Sequence, residues 1–133
     1  LMFAARSALV DTFFNNLKTD FILCDRFYDA SIAYQGYGRG LDIMFINNLI
    51  KAIGCPEPDL TFVLDLDPVE GFKRKSTDKM DRIESSGIDF FKNVRSGYLE
   101  QAKNFSSRIK VIDASMDINQ ISDQIITHIK TIL

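Results

Sequence analysis

The sequence predicts an α/β fold, a parallel sheet covered by helices on both faces. Three observations carry this. Short apolar runs at 21–24 (FILC), 60–66 (LTFVLDL) and 108–112 (RIKVI) are too brief for helices and read as buried strands. The stretches between them place apolar residues at helical spacing. Strands that alternate with helices in one short chain imply right-handed crossovers and parallel pairing.

Each element follows from local chemistry. Met2, Ala5, Leu9, Phe13 and Leu17 recur every three or four residues and describe one face of a first helix. Asn15, Asn16 and Thr19-Asp20 end it. The run 21–24 then reads as a strand delivering Asp25-Arg26 to its carboxyl end. From 27 to 40 part reads as a short helix, and Gly36, Gly38 and Gly40 mark loop. Leu41, Phe45, Leu49 and Ile53 give the next helix, with Gly54 as terminator and Pro56 and Pro58 preventing continuation. After the second strand, Asp67 caps a helix, Pro68 suits its first position and Glu70 can reach back. Ile88, Phe91, Val94, Tyr98, Ala102 and Phe105 line a long amphipathic helix. The third strand follows. Asp117 to Gln120 then cap a last helix carrying Ile118, Ile121, Ile125, Ile129 and Ile132 inward. Three strands make a poor doubly wound sheet, and a further N-terminal βα unit would complete it.

Composition bounds the function. One hundred and thirty-three residues make a single domain, 1–133. The hydrophobic share of 46%, with seven Gly and three Pro, excludes disorder and collagen-like repeats. Sixteen Lys and Arg against 18 Asp and Glu leave a net charge of −2, which argues against a nucleic-acid or membrane clamp. Phosphate chemistry must come from a local basic cluster. No apolar run is long enough to span a bilayer, and the start has no signal-peptide pattern. The chain opens inside a helix and without Met, which reads as an incompletely represented chain. Cys24 and Cys55 stand outside any Cys-x-x-Cys spacing and read as reduced, buried thiols of a cytoplasmic protein. His128 has no His or Cys companion for a metal.

Three features fall where strands leave the sheet, the usual place for a site in open α/β folds. Asp25 can hold a Mg²⁺-bound water, and Arg26 can fork onto a phosphate; a local ion pair is the equal alternative. Ser31 and Gln35, four apart, face one way on a helical turn and together can read a base edge, against the plainer reading of a polar loop. The run from 73 to 84 holds Lys73, Arg74, Lys75, Lys79 and Arg82. It reads either as a cationic flap over polyphosphate or as a solvated helix end.

The blocks DRFYDASIAYQGYGRGLD (25–42), PDLTFVLDLDPVEGFKR (58–74) and DRIESSGIDFFKNVRSGYLEQAK (81–103) resemble thymidylate kinase of the bacterial type, in order and in separation. The similarity runs from the first helix to the end. It implies the fold of a P-loop nucleoside monophosphate kinase with a short lid at about 73–84. The implied reaction is transfer of the γ-phosphoryl of ATP to dTMP, with Mg²⁺, by a cytoplasmic homodimer packed through helices including the first.

Residue by residue, the resemblance implies that Arg26 grips the dTMP phosphate and that Asp25 stands near the metal and the transferred phosphoryl. Ser31 and Gln35 match positions that bond the thymine edge, Arg6 one that reaches a thymine carbonyl, and Tyr34 one beside the sugar. Arg74, Asp113, Ala114 and Ser115 match positions around the ATP adenine. Arg82 is the lid arginine matched to phosphate contact, with Lys75 and Lys79 as its competitors for the catalytic role. Where the family commonly stacks an aromatic on the base, this chain has Met2, with Phe3 one place along.

The larger departure is that no G-x-x-x-x-G-K-[S/T] occurs in these residues. The expectation is therefore the C-terminal two-thirds of such a kinase, holding part of the dTMP pocket without useful kinase activity by itself. The alternatives are a kinase of another nucleotide and a non-catalytic module that binds nucleotide or only dimerises.

Overall fold

A computed structural model of the chain describes residues 2–14, 16–75 and 85–133. Helix α1 (Met2–Leu9) widens into a π-helical turn, Val10–Phe14. The chain then runs without regular structure to the single-turn helix α2 (Tyr28–Ser31), which passes into a longer π-helical segment, Ile32–Gly38. Helix α3 (Ile43–Ala52) starts at Asp42, whose carboxylate accepts from the Met44 and Phe45 amides at 2.7 and 3.3 Å. It stops at Gly54, which takes the left-handed φ of +64° that a helix-ending glycine supplies without strain.

Strand β1 (Thr61–Asp65) leads to α4 (Pro68–Lys75), capped by Asp67 accepting from the Val69 amide at 2.9 Å. Glu70 does not reach back to the cap but takes the Lys73 ammonium at 2.8 Å. Helix α5 (Ser85–Asn104), strand β2 (Ile109–Asp113) and α6 (Ile118–Ile129) complete the chain. Asp117 and Gln120 close a full capping box on α6, as their spacing predicts.

Strands β1 and β2 pair in parallel, from Thr61 opposite Ile109 to Asp65 opposite Asp113. Val63 and Ile109 pack with Ala102 and Tyr98 of α5 on one face. On the other, Phe62 meets His128 of α6. The helices thus flank the sheet as predicted.

The run 21–24 is a correction: it forms no strand, and Leu23 is 93% exposed. A strand is defined by a neighbour that takes its backbone groups. The described sheet has two strands, neither of which pairs with this run. Cys24 is accordingly exposed, not buried, whereas Cys55 packs against the core; neither forms a disulfide.

That core gathers Tyr28, Ile32, Ile46 and Ile50, with Phe3, Phe27 and Tyr37 against it. The 32–38 segment presses closely on α5. A Cβ on Gly97 would stand 2.7 Å from the Tyr37 ring, and one on Gly38 2.7 Å from Phe90. Only glycine permits that approach, and it sets how closely the 32–38 segment lies on α5. Among the described residues, no helix is long and apolar enough to cross a membrane.

Candidate functional site

One turn of helix does not hold itself in water. Helix α2 is held from outside, through Asp29. This carboxylate is only 3% exposed and takes a two-pronged bond from Arg108, Nη1 to Oδ2 and Nη2 to Oδ1, both at 2.8 Å. Thr61 Oγ1 donates to Oδ2 at 3.0 Å, and Gln101 Nε2 donates to the Asp29 carbonyl at 3.1 Å. The hydrogen bonds to Asp29 hold the Arg108 guanidinium above its ordinary pKa.

Around α2 lies a cavity of about 240 Å³ lined by Met2, Arg6, Arg26, Ala30, Ser31 and Gln35. Residues from α1, from the turn before α2, from α2 itself and from the π-helical segment converge on it. Arg6 Nη1 donates to Ser31 Oγ at 2.7 Å and Nη2 to the Phe27 carbonyl at 3.3 Å. Its guanidinium sits against the Phe3 and Phe27 rings, 5.6 and 5.5 Å from their centroids. Burial lowers the Arg6 pKa, yet an arginine so placed stays charged. Gln35 Oε1 is buried and without a hydrogen-bond partner. An orphaned acceptor of this kind on a cavity wall suits a ligand that brings a donor.

Arg26, exposed to solvent, also lines this cavity. Its φ of +61° is the only left-handed value at a non-glycine among the described residues. Such a backbone is strained and persists only where its surroundings impose it. Its guanidinium lies 4.2 Å from the centroid of Tyr34, which is braced edge-on by Phe90, Phe91 and Tyr98. Asp25 beside it is exposed. Among the described residues no group of three or more His, Cys, Asp or Glu could hold a metal ion. A lone exposed carboxylate fits a hydrated Mg²⁺ held through water and through phosphate oxygens.

Most of the residues matched to the acceptor nucleotide are thus brought together: Arg6, Arg26, Ser31 and Gln35 line one cavity. Met2, not Phe3, is the residue of the first turn that lines it. Phe3 packs on the core, and Tyr34 lies beneath Arg26. Elsewhere Arg74 Nη1 donates to the Ala114 carbonyl at 2.9 Å and Nη2 to that of Ser115 at 3.5 Å, joining the residues matched to the adenine. Asp113 accepts from the Ser115 amide at 2.8 Å, and the Ser115 hydrogen bonds lower its pKa. Lys79, Arg82 and the Lys75 side chain lie outside the described residues. A larger cavity, about 330 Å³ between β1, α4 and α5, is mostly apolar and contains none of these residues.

A family profile described as thymidylate kinase matches residues 1–125. The chain belongs to the thymidylate kinase family. It is 46% identical over 129 residues to the thymidylate kinase of Ruthia magnifica, covering 94% of this chain and 63% of that protein. To the thymidylate kinase of Kosmotoga olearia it is 44% identical over 111 residues, covering 82% of this chain and 53% of that one. The crystal structure of thymidylate kinase from Ehrlichia chaffeensis superposes with a TM-score of 0.74 at 28% identity, over 96% of this chain and 60% of that one. The chain therefore has the P-loop kinase fold of the thymidylate kinase family and spans just over half to under two-thirds of the length of these relatives.

Sequence reading missed Asp29, Arg108 and Arg95. Arg95 grips Asp65 at the end of β1, Nε to Oδ1 at 2.7 Å and Nη2 to Oδ2 at 2.9 Å. The available signal was faint: a lone Arg directly before an apolar strand, and a lone Asp between Arg26 and Ser31.

Proposed function

We propose that these residues form the acceptor-nucleotide part of an enzyme that phosphorylates dTMP to dTDP with ATP. In that reaction a dTMP phosphate oxygen attacks the γ-phosphorus, the bond to the β–γ bridging oxygen breaks, and ADP leaves. Such transfer asks the protein mainly to position two anions and to neutralise charge between them. Arg26 holds the acceptor phosphate, its bidentate fork preset by the left-handed backbone. Arg6 donates to the thymine O4 and Gln35 Oε1 accepts from N3–H. Cytosine inverts both polarities and leaves them unpaired, at a cost of ~1–3 kcal/mol each. Met2 offers the ring a soft apolar face.

Asp25 would hold Mg²⁺, which when bound would neutralise phosphate charge. Arg74, Asp113, Ala114 and Ser115 border the adenine of ATP, and Arg82 reaches the phosphates from the lid at 73–84. No G-x-x-x-x-G-K-[S/T] phosphate cradle occurs among these 133 residues. The enzyme works in the cytoplasm as a homodimer in which α1 takes part.

One observation carries the reading: Arg6, Arg26, Ser31 and the unpartnered Gln35 Oε1 meet at a single cavity. Calorimetric titration with dTMP, dUMP, dCMP and thymidine tests it. Arg26→Ala is expected to weaken dTMP about tenfold to a hundredfold, the worth of one or two charged hydrogen bonds, and to leave thymidine nearly unchanged. Equal losses for both ligands remove the phosphate role.

A further inference from the structure

Arg26 and Ser31 bracket Asp29, and Asp29 is where the rest of the molecule takes hold of this segment. Helix α2 has a single turn, and no side chain caps its start at Phe27. Its far end runs on into the 32–38 segment, and Arg26 before it is kept at a strained φ. Arg6 reaches the segment from α1, donating to Ser31 and to the Phe27 carbonyl, whereas the contacts to Asp29 come from later in the chain. Arg108, at the entry to β2, fills both oxygens of Asp29; Thr61, the first residue of β1, adds a third bond; and Gln101 of α5 holds the backbone carbonyl. Arg108 also ties the two strands together, since its carbonyl accepts from the Thr61 amide at 2.8 Å. Its guanidinium rests against Tyr28 and Phe105, with Glu57 at 3.5 Å from Nε. A planar fork wedged between two rings and matched to a buried carboxylate has one orientation, which a lysine does not reproduce.

We propose that Arg108, through Asp29, is a positioning residue for the acceptor phosphate: the pair sets the pitch of α2 and so aims Arg26, without touching the nucleotide. The inference rests on the dTMP reading above for what Arg26 grips, and on the geometry alone for what holds α2.

Arg108→Lys keeps the charge and removes the fork. Thr61→Val keeps the shape and removes one donor, and serves where the lysine variant does not fold. The affinity ratio of dTMP to thymidine, by calorimetry, is expected to fall about tenfold in Arg108→Lys and less, in the same direction, in Thr61→Val. In an Arg26→Ala background the same changes are expected to leave the ratio where it stands, because the pair acts through Arg26. Amide exchange without nucleotide is expected to quicken at 28–35 and to stay unchanged in α6.

A wild-type ratio in folded Arg108→Lys or in Thr61→Val overturns the proposal. So does an equal fall with Arg26 already removed, which marks a general loss of structure. If the unaltered chain binds dTMP no better than thymidine, the dTMP reading fails and the proposed aim of Arg26 falls with it. That result appears before any substitution is made, whereas unchanged exchange at 28–35 in Thr61→Val refutes the tether alone.

Discussion

Tyr98 shows how far one side chain's surroundings reach. Its ring lies 6.4 Å from that of Tyr34, which in turn carries the Arg26 guanidinium. Burial, with Tyr34 nearby, pushes its hydroxyl up to about 12. Tyr28, buried in the core, is pushed up to about 12 as well, again chiefly by burial. The sign of the consequence is fixed. As pH rises past the ordinary tyrosine value near ~10, the unfolded chain releases these protons while the folded chain keeps them. Stability is therefore whole below about pH 10 and drains away towards pH 12. A phenolate absorbance titration of the folded chain is expected to show Tyr28 and Tyr98 ionising late, and Tyr98→Phe to remove one of those steps. The absence of a late step that Tyr98→Phe removes would contradict the packing beneath Arg26.

Contact between elements is decided by the smallest residues. Gly97 lets α5 lie against Tyr37, and Gly97→Ala drives a methyl to 2.7 Å from that ring. Ring and backbone must shift, an overpacking cost of about 1–3 kcal/mol, read as a lowered melting temperature. Gly71→Ala in α4 is the control. The new methyl meets only Leu66 at 3.7 Å, and its better helix propensity makes the change neutral or stabilising. Equal melting of the two variants would refute the close approach. This scale also shows what a sequence can and cannot carry. Helices α3, α5 and α6 and both strands were legible because period, caps and Gly54 are local facts. The Asp117–Gln120 box spans four residues, and its chemistry needs nothing further off. The run 21–24 misled because its composition states a propensity, whereas a ladder needs a partner. Ser31 and Gln35 were legible as a pair at helical spacing, and their cavity confirms the shared side but not the ligand. Asp29 with Arg108, and Asp65 with Arg95, were not legible: a charged residue in sequence carries no mark of its distant partner, and its ordinary meaning is solvent exposure.

The molecule as a whole leaves apolar surface on its first third. Phe13 is 55% exposed, and Leu9, Leu17 and the 21–23 run are exposed beside it in sequence. With α1 in the proposed dimer, sedimentation velocity is expected to find a dimer, and Phe13→Glu to shift it to a monomer with α-helix content kept. An unshifted boundary would place the interface elsewhere. The tether under α2 has a different consequence for how the molecule is made. Its two charged ends are 79 residues apart. During synthesis, α2 emerges first and waits for Arg108, on the order of 4 to 16 s at ordinary ribosomal speed. Until then the nascent segment has the Arg6 contacts alone and lacks the paired hold on Asp29. The hold on Asp29 is thus completed late, by a side chain proposed not to touch the acceptor nucleotide.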